Sequence, residues 1–154
     1  MGMQALMMVL AGFMGVVDRP LPKKDVAKDD AKLLQGTWRV TLLQSRGRPF
    51  PEERLRQLDY KLIIQGQEFY FMLQNRKTQG MQFKVDPASK PKAIDLTPMT
   101  GRGKGQTILA IYSLEGDTLR ICQPIRGGKR PSDFISSVGT RQNVMILKRE
   151  KPLQ

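Results

Sequence analysis

The chain has 154 residues, of which 40% are hydrophobic and 26% charged, enough apolar material for one folded domain and too much for a disordered chain. Lys and Arg number 26 against 14 Asp and Glu, a formal charge of +12. Histidine is absent and Cys122 is the single cysteine, so the chain by itself supplies no His-dependent triad, imidazole metal ligand, internal disulfide or cysteine-cluster zinc site.

Residues 1–17, MGMQALMMVLAGFMGVV, carry no charged side chain, and Asp18, Arg19 and Pro20 stop the apolar run. The stretch Ala5–Val17 is shorter than the roughly 20 residues of a helical membrane span and matches the apolar region of a signal peptide. A signal peptide is the expectation for 1–17, ahead of an uncleaved anchor or an apolar helix packed on the domain. The expected location is the periplasm or cell envelope, with no stable transmembrane span after processing. Residues 18–28, DRPLPKKDVAK, read as a linker because two prolines and mixed charges bury nothing. The domain is then expected over 29–151, with Asp30 placed to cap a short helical turn that Gly36 breaks.

From Gly36 on, apolar residues recur at every second position. Thr37–Leu43 puts Trp38, Val40 and Leu42 on one face and Arg39 and Thr41 on the other, a half-buried strand. Ser45–Pro51 is a turn-rich connection, and Glu52–Leu58, with Pro51 at its start, fits one or two helical turns. Tyr60–Gln65 and Glu68–Leu73 are aromatic-rich strands about Gly66, and Met81–Val85 alternates again. Pro87 and Pro91 bar Asp86–Pro91 from a central strand, Ala93–Leu96 is a short strand, and Thr100–Gly105 is a glycine-rich loop. Thr107–Leu114 and Asp117–Cys122 form a hairpin about Glu115-Gly116; Gln123–Pro131 is a basic loop and Asn143–Arg149 the last strand. Short strands at this spacing, with no helical crossovers, predict an all-β fold: an antiparallel meander β-barrel of about eight strands with a short N-terminal helical turn. Closing the meander also disposes of its sheet edges.

Two positions carry a resemblance. Gly36-Thr37-Trp38 opens the first strand, and Arg149 ends the last on the parity of Met145 and Leu147. A guanidinium laid over the indole, also bonded to backbone carbonyls, would plug one barrel end, with the cation–π contact worth roughly 0.5–2 kcal/mol. This G-x-W and late Arg pairing resembles the lipocalin and calycin signature. A longer ordered set begins at Leu34-Gln35-Gly36-Thr37-Trp38 and passes through Asp86-Pro87 and Lys90–Thr97 (KPKAIDLT). It continues through Gly103–Gly105, Ala110–Leu114 (AIYSL), Gly116–Cys122 (GDTLRIC) and Arg130–Phe134 (RPSDF), and ends at Leu147-Lys148-Arg149. This set is similar to the uncharacterised lipocalin-like domain family of planctomycete bacteria. Ala110 stands where that family usually has glycine, Ser132-Asp133 replaces the commoner Thr-Glu, and the apolar run at 1–17 lacks the basic n-region of a signal peptide. The resemblance implies a lipocalin-like barrel and export behind a signal peptide; it implies no reaction.

The chemistry candidates are few. Thr100–Thr107 (TGRGKGQT) sets Arg102 and Lys104 among glycines but lacks phosphate-loop spacing and a strand-to-helix setting, so a hairpin loop is expected. Basic residues gather at Arg126, Lys129 and Arg130, and again at Arg141, Lys148, Arg149 and Lys151. No RNA-recognition, KH or helix-turn-helix pattern accompanies them and exposed aromatics are few, so no specific nucleic-acid binding is expected. Glu68, Asp95, Glu115 and Asp117 form no convergent carboxylate pair, and Asp95 or Asp133 is expected to pair with a base such as Arg130. Cys122, without a histidine base, is expected to pack rather than react. No catalytic residue, metal site or cofactor is expected.

By parity, Trp38, Val40, Leu42, Tyr60, Leu62, Ile64, Phe69, Phe71, Phe83, Ile94, Ile108, Tyr112, Leu119, Ile121, Met145 and Leu147 face inward. They either fill the barrel or leave a cavity for a small apolar ligand lined by Tyr60, Phe71, Phe83 and Tyr112. The expected function is that of a non-enzymatic, exported lipocalin-like binding module of unknown ligand, with a small apolar molecule in the barrel as the candidate. The alternative is an envelope interaction module that docks an acidic polymer or a partner protein through a basic face at Arg126, Lys129 and Arg130.

Overall fold

A computed structural model of the chain describes residues 23–151. The elements in chain order are helix α1 (Lys23–Leu34), β1 (Gly36–Ser45), β2 (Arg48–Pro49), helix α2 (Glu52–Gln57), β3 (Lys61–Gln65), β4 (Glu68–Leu73) and β5 (Arg76–Lys77). After these come β6 (Met81–Asp86), β7 (Ala93–Pro98), β8 (Ile108–Glu115), β9 (Thr118–Pro124) and β10 (Gln142–Arg149). The two-residue strands β2 and β5 are side ribbons on β1 and β4. The other eight follow one another as an antiparallel meander, and β10 pairs back with β1 from Trp38 opposite Arg149 to Ser45 opposite Asn143. The result is a closed eight-stranded antiparallel barrel, the architecture the alternating pattern predicts. Among the described residues no helix is long and apolar enough to cross a membrane.

The alternation places the core as expected, with one slip. Trp38, Leu62, Ile64, Phe69, Ile94, Tyr112, Leu119, Ile121 and Leu147 are buried in a single cluster, with Tyr60, Phe71, Phe83 and Ile108 packed against it. Each such side chain contributes roughly 1.5–3 kcal/mol when fully buried. Leu42 is the exception. The β1–β10 register shifts between Val40 and Leu42, so Thr41 is an extra residue, and its hydroxyl donates to the Ile146 carbonyl at 3.1 Å. Beyond that bulge the parity reverses, and Leu43 takes the core position that strict alternation assigns to Leu42.

The linker expected over 18–28 is helical from Lys23, and α1 runs unbroken to Leu34. Ala27, Ala31 and Leu34, spaced at four and three residues, pack on the barrel core, and Leu34 is fully buried. Asp30 is therefore inside a helix rather than its cap, and its carboxylate is turned to the barrel. The apolar segment 1–17 lies outside the described residues.

A second cluster sits on the outer wall. Ile111, Cys122 and Val144 meet on β8, β9 and β10, and Phe134 covers them from the segment joining β9 to β10. The guanidinium of Arg130 pins that segment to the wall, donating to the Ala110 carbonyl at 2.7 Å and pairing with Asp95 at 2.6 Å. Cys122 thus packs, as expected, but under this segment and not inside the barrel.

Candidate functional site

Strand direction sorts the connections into two ends. At one end α1 lies over the start of β1 and the end of β10. Arg149 stands over Trp38 with its central guanidinium carbon 4.1 Å from the ring centroid. Its two terminal nitrogens donate to the carbonyls of Gln35 at 2.7 Å and Leu33 at 2.6 Å. Trp38 Nε1 donates to the Leu34 carbonyl at 2.9 Å. Gly36 sits between them at φ +125°, and a Cβ there would stand 3.2 Å from Arg149 Nη1. Gly36, Trp38 and Arg149 are thus brought together as the closure their spacing suggested. The Gln35 side chain adds a lock that sequence reading missed: it accepts from Gly66 N at 2.7 Å and donates to Gly66 O at 2.9 Å, tying the β3–β4 turn to α1.

The same end holds a buried polar cluster. Asp30, 7% exposed, accepts from the Tyr112 hydroxyl at 2.5 Å and from Lys92 Nζ at 2.9 Å. Burial, followed by the Asp30 carboxylate, pushes the Tyr112 phenol far above its ordinary range. Tyr112 is therefore an anchor for α1 and not a free handle in a cavity.

The other candidate cavity residues fill space. Tyr60 and Phe71 lie 5.2 Å apart, Phe71 meets Phe69 edge-on at 5.6 Å, and Phe83 lies 6.5 Å from Phe69. Of the four, Phe83 alone borders one of the described clefts, a surface groove of about 480 Å³ whose other walls include Gln67, Gln82, Lys84 and Thr97. The larger clefts, of about 600 and 630 Å³, lie outside the barrel. The first is lined in part by Asp59, Lys61 and Glu150, which with Arg39 form a ring of four charges: Arg39 pairs with Asp59 at 3.1 Å and Glu150 at 3.3 Å, and Lys61 pairs with the same two at 3.3 and 3.4 Å. Two cations balance two anions, so the ring ties β1, β3 and the chain after β10 together with no net charge.

The opposite end is made of four connections, residues 46–60, 74–80, 99–107 and 125–141. They hold twelve Lys and Arg and four Asp and Glu, a net +8 of the chain's +12. The segments at the plugged end, 23–35, 66–67, 87–92 and 116–117, hold six against four. Arg56 and Lys77 are paired with Glu52 and Glu68, both at 2.6 Å. Arg46, Arg48, Arg76, Arg102 and Lys104 have no carboxylate partner among the described residues, and neither have Arg126 and Arg141. All seven are exposed. Of the three residues expected to contact a polyanion, Arg126 and Lys129 are exposed and unpaired in this sense, whereas Arg130 is held by Asp95 and the Ala110 carbonyl. The Arg130 charge is paired where it pins the 125–141 segment.

A cleft of about 460 Å³ opens at this end between the segments 99–107 and 125–141, with Gln106, Arg126 and Asn143 on its wall. Asn143 Oδ1 is buried there without a hydrogen-bond partner. Among the described residues no cluster of three acidic or cysteine side chains has a metal-binding arrangement. Comparison of the chain with family models, curated proteins and solved structures found no match. Fold and site together define a plugged eight-stranded barrel, polar-locked at one end and basic at the other.

Proposed function

We propose that the chain is a non-enzymatic docking module that engages a polyanionic surface through the loop end of its barrel. The net +8 on that end, where among the described residues only Arg56, Lys77 and Arg130 of its twelve arginines and lysines have carboxylate partners, carries this reading. Cations neutralised by paired carboxylates are structural; cations left facing water focus potential outward and recruit anions in a salt-dependent way. The leading expectation of a small apolar ligand inside the barrel has less support than this alternative, because the rings that would line the cavity pack on one another. The Trp38–Arg149 closure supports a lipocalin-like relationship, and the uncharged residues 1–17 support export to an envelope rich in acidic polymers.

Fluorescence anisotropy with labelled dextran sulfate tests the reading. The expected result is binding that weakens by at least about 10-fold between about 50 and about 200 mM salt, with a log–log slope that becomes shallower when Arg126, Lys129 and Arg141 are replaced by alanine. An affinity that is flat with salt, or that survives those substitutions unchanged, refutes it.

A further inference from the structure

We infer that the surface engaged by the loop end is an anionic lipid bilayer, into whose interface apolar side chains of that end insert. The inference rests on the docking reading above and adds a second observation to it. Among the described residues five large hydrophobic side chains stand exposed: Val138 at 87%, Ile135 at 57%, Leu33 at 56%, Met99 at 43% and Phe50 at 38%. Four of them are carried by the basic end, on three of its four connections; Leu33 alone belongs to the plugged end.

Two of these connections are held against each other. Gly47 N donates to Ser136 Oγ at 2.9 Å, and Gly47, at φ +76°, lies so close to the other chain that a Cβ would stand 3.1 Å from Ser137 Cα and Val138 N. The approach brings the connection carrying Phe50 against the one carrying Ile135 and Val138. Arg46, Arg48 and Arg141 are on the same two connections.

The chemistry of this mixture selects among polyanions. A hydrated acidic polymer satisfies the arginines but offers nothing to a valine or isoleucine that water surrounds. A bilayer interface satisfies both: anionic headgroups meet the cations, and the acyl boundary takes the aliphatic groups out of water. Single exposed hydrophobics are ordinary on any protein. Their concentration on the end that is also short of anions is the feature that points to lipid.

Environment-sensitive labelling separates the possibilities in the full chain. Val138→Cys and Leu33→Cys variants are labelled with a thiol-reactive polarity probe; native Cys122, fully buried, stays unlabelled. Each is mixed with phosphatidylcholine vesicles containing phosphatidylglycerol, with phosphatidylcholine vesicles alone, and with dextran sulfate. The expected result is a blue shift at position 138 with the anionic vesicles and none at position 33. Dextran sulfate should bind without shifting either probe. Replacing Ile135 and Val138 by serine in the otherwise native chain should lower vesicle partitioning by about 10-fold and leave dextran sulfate affinity unchanged.

Binding of dextran sulfate without vesicle binding, or vesicle binding with the 138 probe still in water, overturns the lipid inference and leaves the docking reading standing. A shift at 33 and not at 138 overturns it as well, because the plugged end would then be the contact. Loss of both vesicle and dextran sulfate binding overturns both.

Discussion

Replacing Arg149 by methionine removes the guanidinium and keeps a side chain of similar reach over the Trp38 ring. Three interactions go with it. The cation–π contact, at 4.1 Å, is worth roughly 0.5–2 kcal/mol. The two bonds from a charged donor to the Gln35 and Leu33 carbonyls are worth roughly 1.5–3 kcal/mol each in a buried setting. Arg149 is only half-buried and water can reach the freed carbonyls, so the lower values apply. The pair with Asp117, a carboxylate 61% exposed, adds almost nothing. The expected loss is about 3 kcal/mol, a large share of the 5–15 kcal/mol that holds a typical domain folded. Arg149→Lys keeps the charge but cannot fork to two carbonyls, and should fall between the two. Urea unfolding followed by tryptophan fluorescence measures it directly, because Trp38 is the single tryptophan and is fully buried under the plug. An Arg149→Met midpoint equivalent to a change under about 0.5 kcal/mol would refute the reasoning, since that is the size of an ordinary surface substitution.

Gly36→Ala should destabilise the same end by about 1–3 kcal/mol in the same assay, because its φ of +125° strains any side chain and its Cβ would press on Arg149. The Tyr112 phenol is raised above its ordinary 10.0, so the folded state keeps a proton that the unfolded chain gives up. Its contribution is complete below pH 10.0 and is lost as pH rises above that value. Tyr112→Phe should therefore flatten the fall of stability at alkaline pH by up to about 1.36 kcal/mol per pH unit, read from urea midpoints across that range. Burial pushes the Cys122 thiol up to about 11, so Ellman's reagent should react with the native protein at least about 100-fold more slowly than with the unfolded chain. Phe134→Ala or Arg130→Met, each loosening the segment that covers Cys122, should speed that reaction while Trp38 fluorescence stays native.

The strands were readable because a barrel wall imposes a period of two, and the residues that obey it, from Trp38 to Leu147, needed no knowledge of partners. The plug was readable for another reason: Gly36, Trp38 and Arg149 are few and chemically unusual. The Arg130 and Asp95 pair was anticipated from charge. What alternation hides is an inserted residue. Thr41 looks like any outward threonine, yet it bulges and hands the core position from Leu42 to Leu43. The reach of α1 was hidden because 23–28 is polar and the helix packs through Ala27, Ala31 and Leu34 on a barrel end that only the fold creates. Asp30 reads as a cap until Tyr112 and Lys92, far along the chain, are brought to it. The basic end was the least legible part. Its charges lie on four connections separated by whole strands, so no window of sequence shows the cluster, and the compact group at 126–130 is only one part of it.

The central claim is that the loop end, and not the barrel interior, makes the contact. Backbone amide shifts recorded while anionic vesicles or dextran sulfate are added measure this residue by residue. The account predicts movement confined to the connections at 46–50, 74–80, 99–107, 125–129 and 135–141, with Trp38, Phe69, Tyr112 and the Gln35–Gly66 lock unmoved. Shifts centred on Tyr60, Phe71 and Phe83, or on α1, would contradict it.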